Sequence, residues 1–379
     1  MAEILDAMKQ RIEDMAIGAM TLNLIGIGDD LKLFRHLAEQ PLTSASLALR
    51  AECSARYMAE WCLHMAAVKI LTYDEATDSF ELPGDVAPVF LDAAHERCLA
   101  MASDTIGFVS MRPELSRVFR TGEGISWGAY PDLVFSGARR TFPPIYQEYL
   151  VDFLPVEVRE VLDRGGMVAD VGCGEGASTT VLAAAFTKAQ FRGYDRHAPS
   201  VKLAQQAARE QQLENMLVFV AEGKNFAAKH GDGDAGFGEV DLCMFINCFH
   251  DMGDADLAAQ QAYEALREGG VLFLMEPDGA DEPTVAAQLA LPGCAGLSGA
   301  SCHICLPSGL HNHGCGMGIC APTSLHKSFL EKAGFVGFAK VNNAEADDLG
   351  FRLMIARKPV SGDPEPVIKR LKSHDESIR

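Results

Sequence analysis

The sequence predicts an α/β fold over its second half, preceded by a smaller helical domain. From residue 167 onward, short apolar segments alternate with segments of helical periodicity. Such alternation is typical of a parallel sheet with helices on both faces. Before that point, residues 1–95 carry apolar positions at helical spacing and end in one hairpin pattern. A chain of 379 residues also exceeds one average domain, which favours two.

The alternating region divides into five strands and three helices. The predicted strands are 168–171, 191–194, 217–220, 240–246 and 271–275, and the predicted helices are 178–186, 200–212 and 254–266. The tail, 361–379, is polar and is expected to be loosely ordered.

Residues 1–95 have the outline of a winged helix, in which helices precede a hairpin. The expected helices are 4–25, broken by Gly26 and Gly28, then 30–38, one capped by Thr43 or Ser44, and 55–68; the hairpin pairs 70–73 with 79–82. A helix that reads a DNA groove needs donors and positive charge. This module instead has about twice as many acidic as basic side chains. Dimerisation or the building of a ligand pocket is therefore the favoured role.

Residues 96–165 are predicted to be helices that connect the two domains. A loop over 120–131 interrupts them, because two glycines and a proline disfavour regular structure there. Trp127 and Tyr130 lie on this loop, and Arg139, Arg140 and Tyr146 follow it. Two interpretations remain open for these side chains, namely packing between the domains and a wall of a ligand pocket.

The charge and composition of the chain narrow its partners and its location. A formal net charge of −19 disfavours nucleic acid and anionic lipid, because both are polyanions. The first residues lack the pattern of a signal peptide, and no segment reaches the roughly 18 apolar residues that a membrane span needs. We therefore expect a cytoplasmic protein. Its 11 cysteines are then expected as thiols rather than as a disulfide framework.

The most informative motif is Asp170-Val-Gly172-Cys-Gly174-Glu-Gly176, between a predicted strand and a predicted helix. Glycines at such a turn allow tight bending and close approach of the backbone to a ligand. The motif resembles the first motif of class I S-adenosylmethionine-dependent methyltransferases. The resemblance covers about residues 140–358 and implies S-adenosylmethionine as the cofactor. It also implies a Rossmann-like, seven-stranded methyltransferase domain over 166–360, with an acceptor-covering insertion near 279–325.

The resemblance assigns cofactor contacts to the ends of four strands. In the family, the glycine turn lies against the methionine part of the cofactor, and an acid at the Asp170 position contacts the cofactor region or its ordered waters. Asp195 ends the second strand, where a carboxylate suits the two ribose hydroxyls. Glu222 and Gly223 follow the third strand, where the family usually has an aspartate on the adenine amino group. Asn247 follows the fourth strand, whose end faces the transferring methyl group.

His250-Asp251 resembles the His-Asp pair of small-molecule O-methyltransferases, in which the histidine is the general base. The family's usual next residue is Trp, whereas this chain has Met252. An ordinary histidine pKa near 6.5 suits proton removal at neutral pH. The alternative is that His250 only packs after the strand. The candidate residues for binding the acceptor are Trp127, Tyr130, Arg139, Tyr146 and His303.

The stretch 294–320 is unusually rich in soft ligands, with Cys294, Cys302, His303, Cys305, His311, His313, Cys315 and Cys320. These residue types can bind zinc, but their spacing is not that of a standard zinc finger. We therefore expect no metal here. A glycine-rich lid over the acceptor is the favoured interpretation, and a role with a sulfur or metalloid acceptor is the next.

Together these features predict methyl transfer from S-adenosylmethionine to a small-molecule oxygen or sulfur acceptor. The N-terminal part also resembles the dimerisation modules of bacterial small-molecule methyltransferases, which implies a homodimer. One alternative is a thioether S-methyltransferase that acts on 4-methylthio-2-hydroxybutyrate toward dimethylsulfoniopropionate. Another is an S-adenosylmethionine-binding winged-helix regulator.

Overall fold

A computed structural model describes residues 2–92, 95–228 and 240–362. The chain forms two compact units, one of Met1–Thr121 with Ser126–Gln147 and one of Gly122–Ile125 with Glu148–Arg379. The predicted polar tail lies outside the described residues from residue 363 onward. Within the described ranges, no helix is both long and apolar enough to pass through a bilayer.

The first unit consists of helices and one small hairpin. Its elements are α1 Ala2–Asp30, α2 Leu33–Glu39, α3 Ser44–Arg50, α4 Ala55–Ala67, β1 Thr72–Asp74, β2 Ser79–Glu81, α5 Ala87–Leu91, α6 Glu96–Ser110, α7 Arg112–Thr121 and most of α8 Asp132–Phe153. Strands β1 and β2 pair antiparallel, and α3 begins after Thr43, whose hydroxyl accepts from the Ser46 amide at 3.1 Å. The predicted hairpin and the predicted cap are therefore both present.

The expected break at Gly26 and Gly28 was wrong, because α1 continues through both glycines to Asp30. Gly28 instead provides space for packing. A Cβ at this position would lie 2.6 Å from the Trp61 ring and 2.9 Å from the Phe34 ring. The Trp61 indole also donates a hydrogen bond to the Leu24 carbonyl at 2.9 Å. The sequence pattern thus predicted the end of a helix at a glycine that instead leaves space for neighbouring aromatic rings.

The second unit is a seven-stranded sheet with helices. Its elements are α9 Val156–Asp163, β3 Met167–Val171, α10 Ala177–Ala185, β4 Gln190–Asp195, α11 Ala198–Glu210, β5 Met216–Val220, β6 Val240–Ile246, α12 Ala255–Ala265, β7 Leu266–Pro277, α13 Val285–Leu289, α14 Cys294–Ala300, α15 Leu306–Leu310, α16 Thr323–Ala333, β8 Val336–Val341, α17 Ala344–Asp348 and β9 Phe351–Arg357. The strand order is β5-β4-β3-β6-β7-β9-β8. The first five strands are parallel, and β9 is antiparallel to both β7 and β8. This arrangement confirms the predicted fold class and each predicted strand.

The centre of the sheet is apolar on both faces. All seven residues of β6 are buried, as expected for a strand with helices on both sides. Alanines on the buried face of α12 pack into the same core. Because β3, β4, β6 and β7 run parallel, their carboxyl ends meet at one edge of the sheet. Ligands of open α/β sheets bind at this edge.

The opposite edge of the sheet is held by Asp241, which is buried near the start of β6. Its carboxylate accepts from Arg164 at 2.9 Å, Arg267 at 2.8 Å and the Met167 amide at 2.8 Å. Asp241→Ala would leave these donors without an acceptor. We expect it to lower the free energy of unfolding by about 2–4 kcal/mol while cofactor affinity stays unchanged.

Urea denaturation and calorimetric titration of the cofactor would measure these two quantities. Asp163→Ala, at an exposed position of the same unit, is the control. Equal stability of the two variants would contradict a structural role for Asp241.

Candidate functional site

The glycine turn after β3 holds three glycines at positive φ, at +77° for Gly172, +55° for Gly174 and +79° for Gly176. Side-chain-bearing residues rarely adopt this conformation. A Cβ on Gly172 would also lie 2.7 Å from the Cys248 sulfur, and one on Gly176 would lie 2.9 Å from the Ala204 Cβ. At Gly174, by contrast, no described atom lies within 4 Å of a Cβ position. Two glycines therefore permit close packing, while the middle one faces open space where a ligand can meet the backbone.

Asp170 precedes the turn and is only 1% exposed. Its Oδ2 accepts from the Ser178 hydroxyl at 3.1 Å and the Thr179 hydroxyl at 2.6 Å, which fixes the start of α10. Its Oδ1 is buried and has no hydrogen-bond partner among the residues that the structure describes. Burial raises the pKa of this carboxyl to about 6. A buried acceptor without a donor fits a site where a bound molecule or ordered water supplies one.

Asp195 ends β4. Its carboxylate connects the glycine turn after β3 to the loop that follows β4. Its Oδ2 accepts from the Gly174 amide at 2.9 Å, and its Oδ1 accepts from the His197 amide at 2.7 Å. Each carboxylate oxygen can accept a second hydrogen bond, so this geometry is compatible with a ribose diol. Burial raises the pKa of Asp195, although the two amides oppose that shift.

Glu222 and Gly223 follow β5 at the same edge of the sheet. The Glu222 carboxylate is half exposed and lies 3.1 Å from the Lys224 ammonium, which also contacts Asp254 at 2.8 Å. Gly223 lies against Met252, whose sulfur would be 3.1 Å from a Cβ at this position. The contact of Glu222 with adenine therefore stays a prediction.

The chain turns sharply after β6 at Asn247, whose φ is +55°. This turn directs three consecutive amides at Glu276, the penultimate residue of β7. Cys248 and Phe249 donate to its Oε1 at 3.1 and 2.9 Å, and His250 donates to its Oε2 at 3.1 Å. Glu276 is fully buried, which alone would raise its pKa, yet His250 and these backbone donors hold the pKa below its usual range. The carboxylate is thus kept ionised inside the protein.

His250 lies beside this carboxylate and is itself buried, with 4% of its surface exposed. Its Nδ1 is 2.5 Å from Glu276 Oε2. Burial alone would lower the pKa of His250, but Glu276 and Cys305 raise it well above its ordinary value. The carboxylate that orients the ring is therefore Glu276, rather than the sequence neighbour Asp251.

Asp251, the second residue of the predicted pair, is half-buried next to the ring. Burial raises its pKa to about 6, while the charges of His250 and Arg196 oppose that shift. Its catalytic role stays a prediction. Sequence reasoning missed Glu276, although a Glu-Pro pair that ends a buried strand is a recognisable signal.

Arg352 was also missed. It lies opposite Glu276 in the pairing of β7 with β9 and is fully buried. Its guanidinium donates to the Thr323 hydroxyl at 3.0 Å and to the Ala321 carbonyl. An arginine inside the apolar run of β9 was the available sequence signal.

A cover segment, residues 301–315, packs against the His250 end of the sheet. It begins with a π-helical turn, Ser301–Cys305, and continues through α15. The Cys315 amide donates to the Gly253 carbonyl at 2.7 Å, and the Ser308 hydroxyl accepts from Arg196, which follows Asp195, at 3.1 Å. The part of the predicted insertion that lies here therefore contacts both the histidine loop and the Asp195 loop.

The Cys/His-rich stretch shows no metal-binding arrangement. In the described parts of the chain, no three or more His, Cys, Asp or Glu side chains are grouped so that they could hold a metal ion. His303 Nδ1 lies 2.7 Å from the Gly299 carbonyl oxygen within its own helical turn. Its contact with an acceptor stays a prediction.

The other predicted acceptor-binding side chains lie in the first unit. The Trp127 ring packs edge-on against Phe135, with centroids 5.8 Å apart, and also against Tyr130. The other contacts are Arg139 with Asp132 at 3.2 Å, Arg140 with Asp29 at 2.7 Å, and Tyr146 stacked on Phe142. All of these contacts lie within the first unit, so both packing between the domains and binding of an acceptor remain predictions.

Two protein families match parts of the chain. Residues 162–304 match the methyltransferase domain family, and residues 18–91 match the Rv2258c-like winged HTH domain family. No curated protein matches the chain.

Similar solved structures cover nearly the whole chain. An O-methyltransferase family protein from Burkholderia thailandensis has a TM-score of 0.67 at 16% identity and covers 94% of this chain and 98% of its own. The mitomycin 7-O-methyltransferase MmcR has a TM-score of 0.68 at 14% identity, covering 94% and 100%. NcsB1, an O-methyltransferase of neocarzinostatin biosynthesis solved with S-adenosyl-L-homocysteine and 1,4-dihydroxy-2-naphthoic acid, has a TM-score of 0.61 at 18% identity, covering 90% and 96%. At these identities the likeness shows a shared fold.

Proposed function

We propose that this chain, a class I S-adenosylmethionine-dependent methyltransferase with an N-terminal winged-helix domain, methylates a hydroxyl group of a small molecule. The observation that carries the proposal is the pair of His250 and Glu276. A buried histidine whose Nδ1 faces an ionised carboxylate is a general base in a fixed orientation. It lies at the same sheet edge as the glycine turn.

The cofactor site fits S-adenosylmethionine on the chain's own geometry. The open space at Gly174, the unpartnered Asp170 oxygen and the remaining acceptor positions of Asp195 are the groups that would hold it. When bound, this cofactor supplies a methyl group on a sulfonium, which already carries a good leaving group. The protein then has to align the acceptor, exclude water and remove a proton.

Removal of the proton is the task of His250. With Nδ1 held by Glu276, the Nε2 atom is the position for a proton from the acceptor. Glu276 stabilises the imidazolium that forms, as the carboxylate of a catalytic triad does. A thioether acceptor has no proton to lose, so this pair supports a hydroxyl or thiol acceptor over the dimethylsulfoniopropionate-type alternative.

A screen of small hydroxyl, thiol and thioether compounds with purified protein tests the proposal. Release of S-adenosylhomocysteine with a hydroxyl compound is the expected result. Methylation of thioethers alone would overturn the choice of acceptor. Salt-dependent DNA binding without methylation of any compound would instead favour the regulator.

We also propose that the active form is a homodimer joined through α1. This helix of 29 residues exposes an apolar stripe in which Ile4 is 75%, Met8 50%, Ile12 61% and Met15 59% exposed. Exposed apolar stripes of this length mark interaction surfaces. A second copy is the proposed occupant because its own α1 presents the same stripe, as a two-fold interface requires.

Met8→Glu combined with Ile12→Glu should convert the dimer to a monomer, because two charges would have to be buried against an apolar partner. Sedimentation at several protein concentrations measures this change. Glu13→Gln, on the exposed surface of the same helix, is the matched control and should stay dimeric. A monomeric wild-type chain would contradict the proposal.

A further inference from the structure

Arg352 is a buried cation beside the carboxylate that orients His250. In the antiparallel pairing of β7 with β9, Arg352 lies directly opposite Glu276. Residues directly opposite in such a pair share one face of the sheet, with Cβ atoms about 4.5–5.5 Å apart. Neither side chain is exposed to solvent. A positive charge is therefore held next to Glu276 inside the protein, where salt and water screen it little.

The hydrogen bonds of Arg352 leave its charge available to Glu276. The guanidinium donates to two uncharged acceptors, the Thr323 hydroxyl at 3.0 Å and the Ala321 carbonyl. Its Nε is buried and has no hydrogen-bond partner among the residues that the structure describes. Gly279 leaves space for the guanidinium, because a Cβ there would lie 3.0 Å from Nη2. Burying an arginine on uncharged partners costs stability, which favours a role in the chemistry of the site.

The pair of His250 and Glu276 has a requirement that such a charge meets. In the proposed function, the pair is active when His250 is neutral and Glu276 is ionised, so the active state carries a net negative charge. Uptake of a proton makes the pair neutral. The carboxylate favours that uptake, which would leave no free base near neutral pH. A neighbouring positive charge favours the proton-free state instead.

We propose that Arg352 is a positioning residue whose charge keeps Glu276 ionised and leaves His250 free to accept the proton of the methyl acceptor. This inference rests on the proposed function, because it concerns the base of that reaction. Glu276 and Arg352 act in opposite directions on the same proton. Glu276 orients the ring and stabilises the imidazolium, and Arg352 limits that stabilisation so that the base is regenerated.

Other titratable groups also interact electrostatically with His250, Glu276 or Arg352; they are His326, Asp251, Asp278, Asp281, Cys248, Cys305 and Cys320. His326 is the candidate for a second positive charge. Burial and then Arg352 lower the pKa of His326 to about 4, so it is neutral near pH 7. The carboxyl and thiol groups cannot supply positive charge. Arg196 is exposed to water, and the Lys340 ammonium lies 3.8 Å from the Asp278 carboxylate.

The first test compares the pH dependence of kcat/KM between the wild-type chain and two neutral variants, Arg352→Gln and Arg352→Met. In both variants, the acid limb should move to higher pH by at least about half a unit, because the pair holds its proton more tightly. The plateau of kcat at high pH should stay within about twofold, since the base itself is intact. Methionine at this position leaves no buried charge, and such replacements are often well tolerated.

Two further variants separate charge from structure. Arg352→Lys keeps the positive charge and should restore the limb of the wild-type chain. Arg357→Gln, at an exposed position of the same strand, is the matched control and should leave the profile unchanged. A lower plateau with an unmoved limb in Arg352→Gln and Arg352→Met would overturn the inference, because it would indicate that Arg352 only supports the fold.

Nuclear magnetic resonance titration of the His250 ring, without any acceptor, measures the same proton directly. The signal is assigned by its absence in His250→Gln, and its pKa should rise in both neutral variants. An unchanged pKa in a folded neutral variant would overturn the inference and leave the proposed function standing. Absence of methyl transfer to any hydroxyl compound would instead remove the proposed function, and the catalytic role of Arg352 with it, even where the titration shows the rise.

Discussion

His250→Gln should lower kcat toward the small-molecule acceptor by about 10²–10⁴-fold, the range that a general base contributes. The amide cannot take up the acceptor proton, although it can still hydrogen-bond to Glu276. The cofactor lies against the glycine turn in the proposed complex, so its Kd should stay unchanged. Steady-state kinetics and calorimetric titration separate the two effects. An unchanged kcat would show that His250 is not the base.

The pH profile gives a second measurement of the same role. Activity requires neutral His250, and the ionised Glu276 raises the pKa of the imidazole. The acid limb of kcat/KM should therefore lie above the ordinary histidine pKa near 6.5, with the rate increasing as pH rises through it. Glu276→Gln removes the charge that stabilises the imidazolium, so the limb should move to lower pH.

Other titratable groups also face the His250 ring, and one of them provides a control variant for the pH profile. Cys305, Asp251 and His326 also interact electrostatically with His250. Asp251→Asn removes a carboxylate charge at the position next to His250 and should shift the limb less, because Glu276 retains the hydrogen bond to the ring. Equal shifts in the two variants would contradict the assignment of Glu276 as the orienting group.

Local sequence signals predicted the sheet and the cofactor turn. Alternating strands and helices show in the spacing of apolar residues, and three glycines within the six residues after Asp170 indicate a strained turn. Both signals depend on neighbouring residues alone. The same kind of reasoning failed at Gly28, because the Trp61 ring that needs its space lies 33 positions further along the chain.

The surroundings of His250 depend on contacts that local signals cannot reveal. Glu276 reaches His250 because β6 and β7 pair in parallel with Ile246 opposite Met275. That register follows from packing of the whole sheet. Cys305 lies near enough to influence the pKa of the same ring because of the fold of the cover segment. The sequence therefore paired His250 with its neighbour Asp251, whereas the structure places its Nδ1 on Glu276, and the role of His250 as a base stays a prediction.

Gly174→Ala should weaken cofactor binding by at least about tenfold, since the second glycine of such turns allows the backbone to approach the ligand. The added Cβ would meet no described atom of the protein, so a loss of affinity would come from contact with the ligand or from strain in the backbone. The positive φ of +55° adds a strain of about 1–2 kcal/mol. Calorimetric titration measures the affinity, and urea denaturation measures the strain.

Gly350→Ala separates these two effects because Gly350 has a φ of +80° and likewise no described atom within 4 Å of a Cβ. It lies before β9, away from the glycine turn in the sequence, so it should incur the strain alone. Similar destabilisation of both variants with loss of affinity only in Gly174→Ala would indicate that the cofactor lies on this turn. Equal affinity in the two variants would contradict that position, and the roles proposed for Asp170 and Asp195 would then need revision.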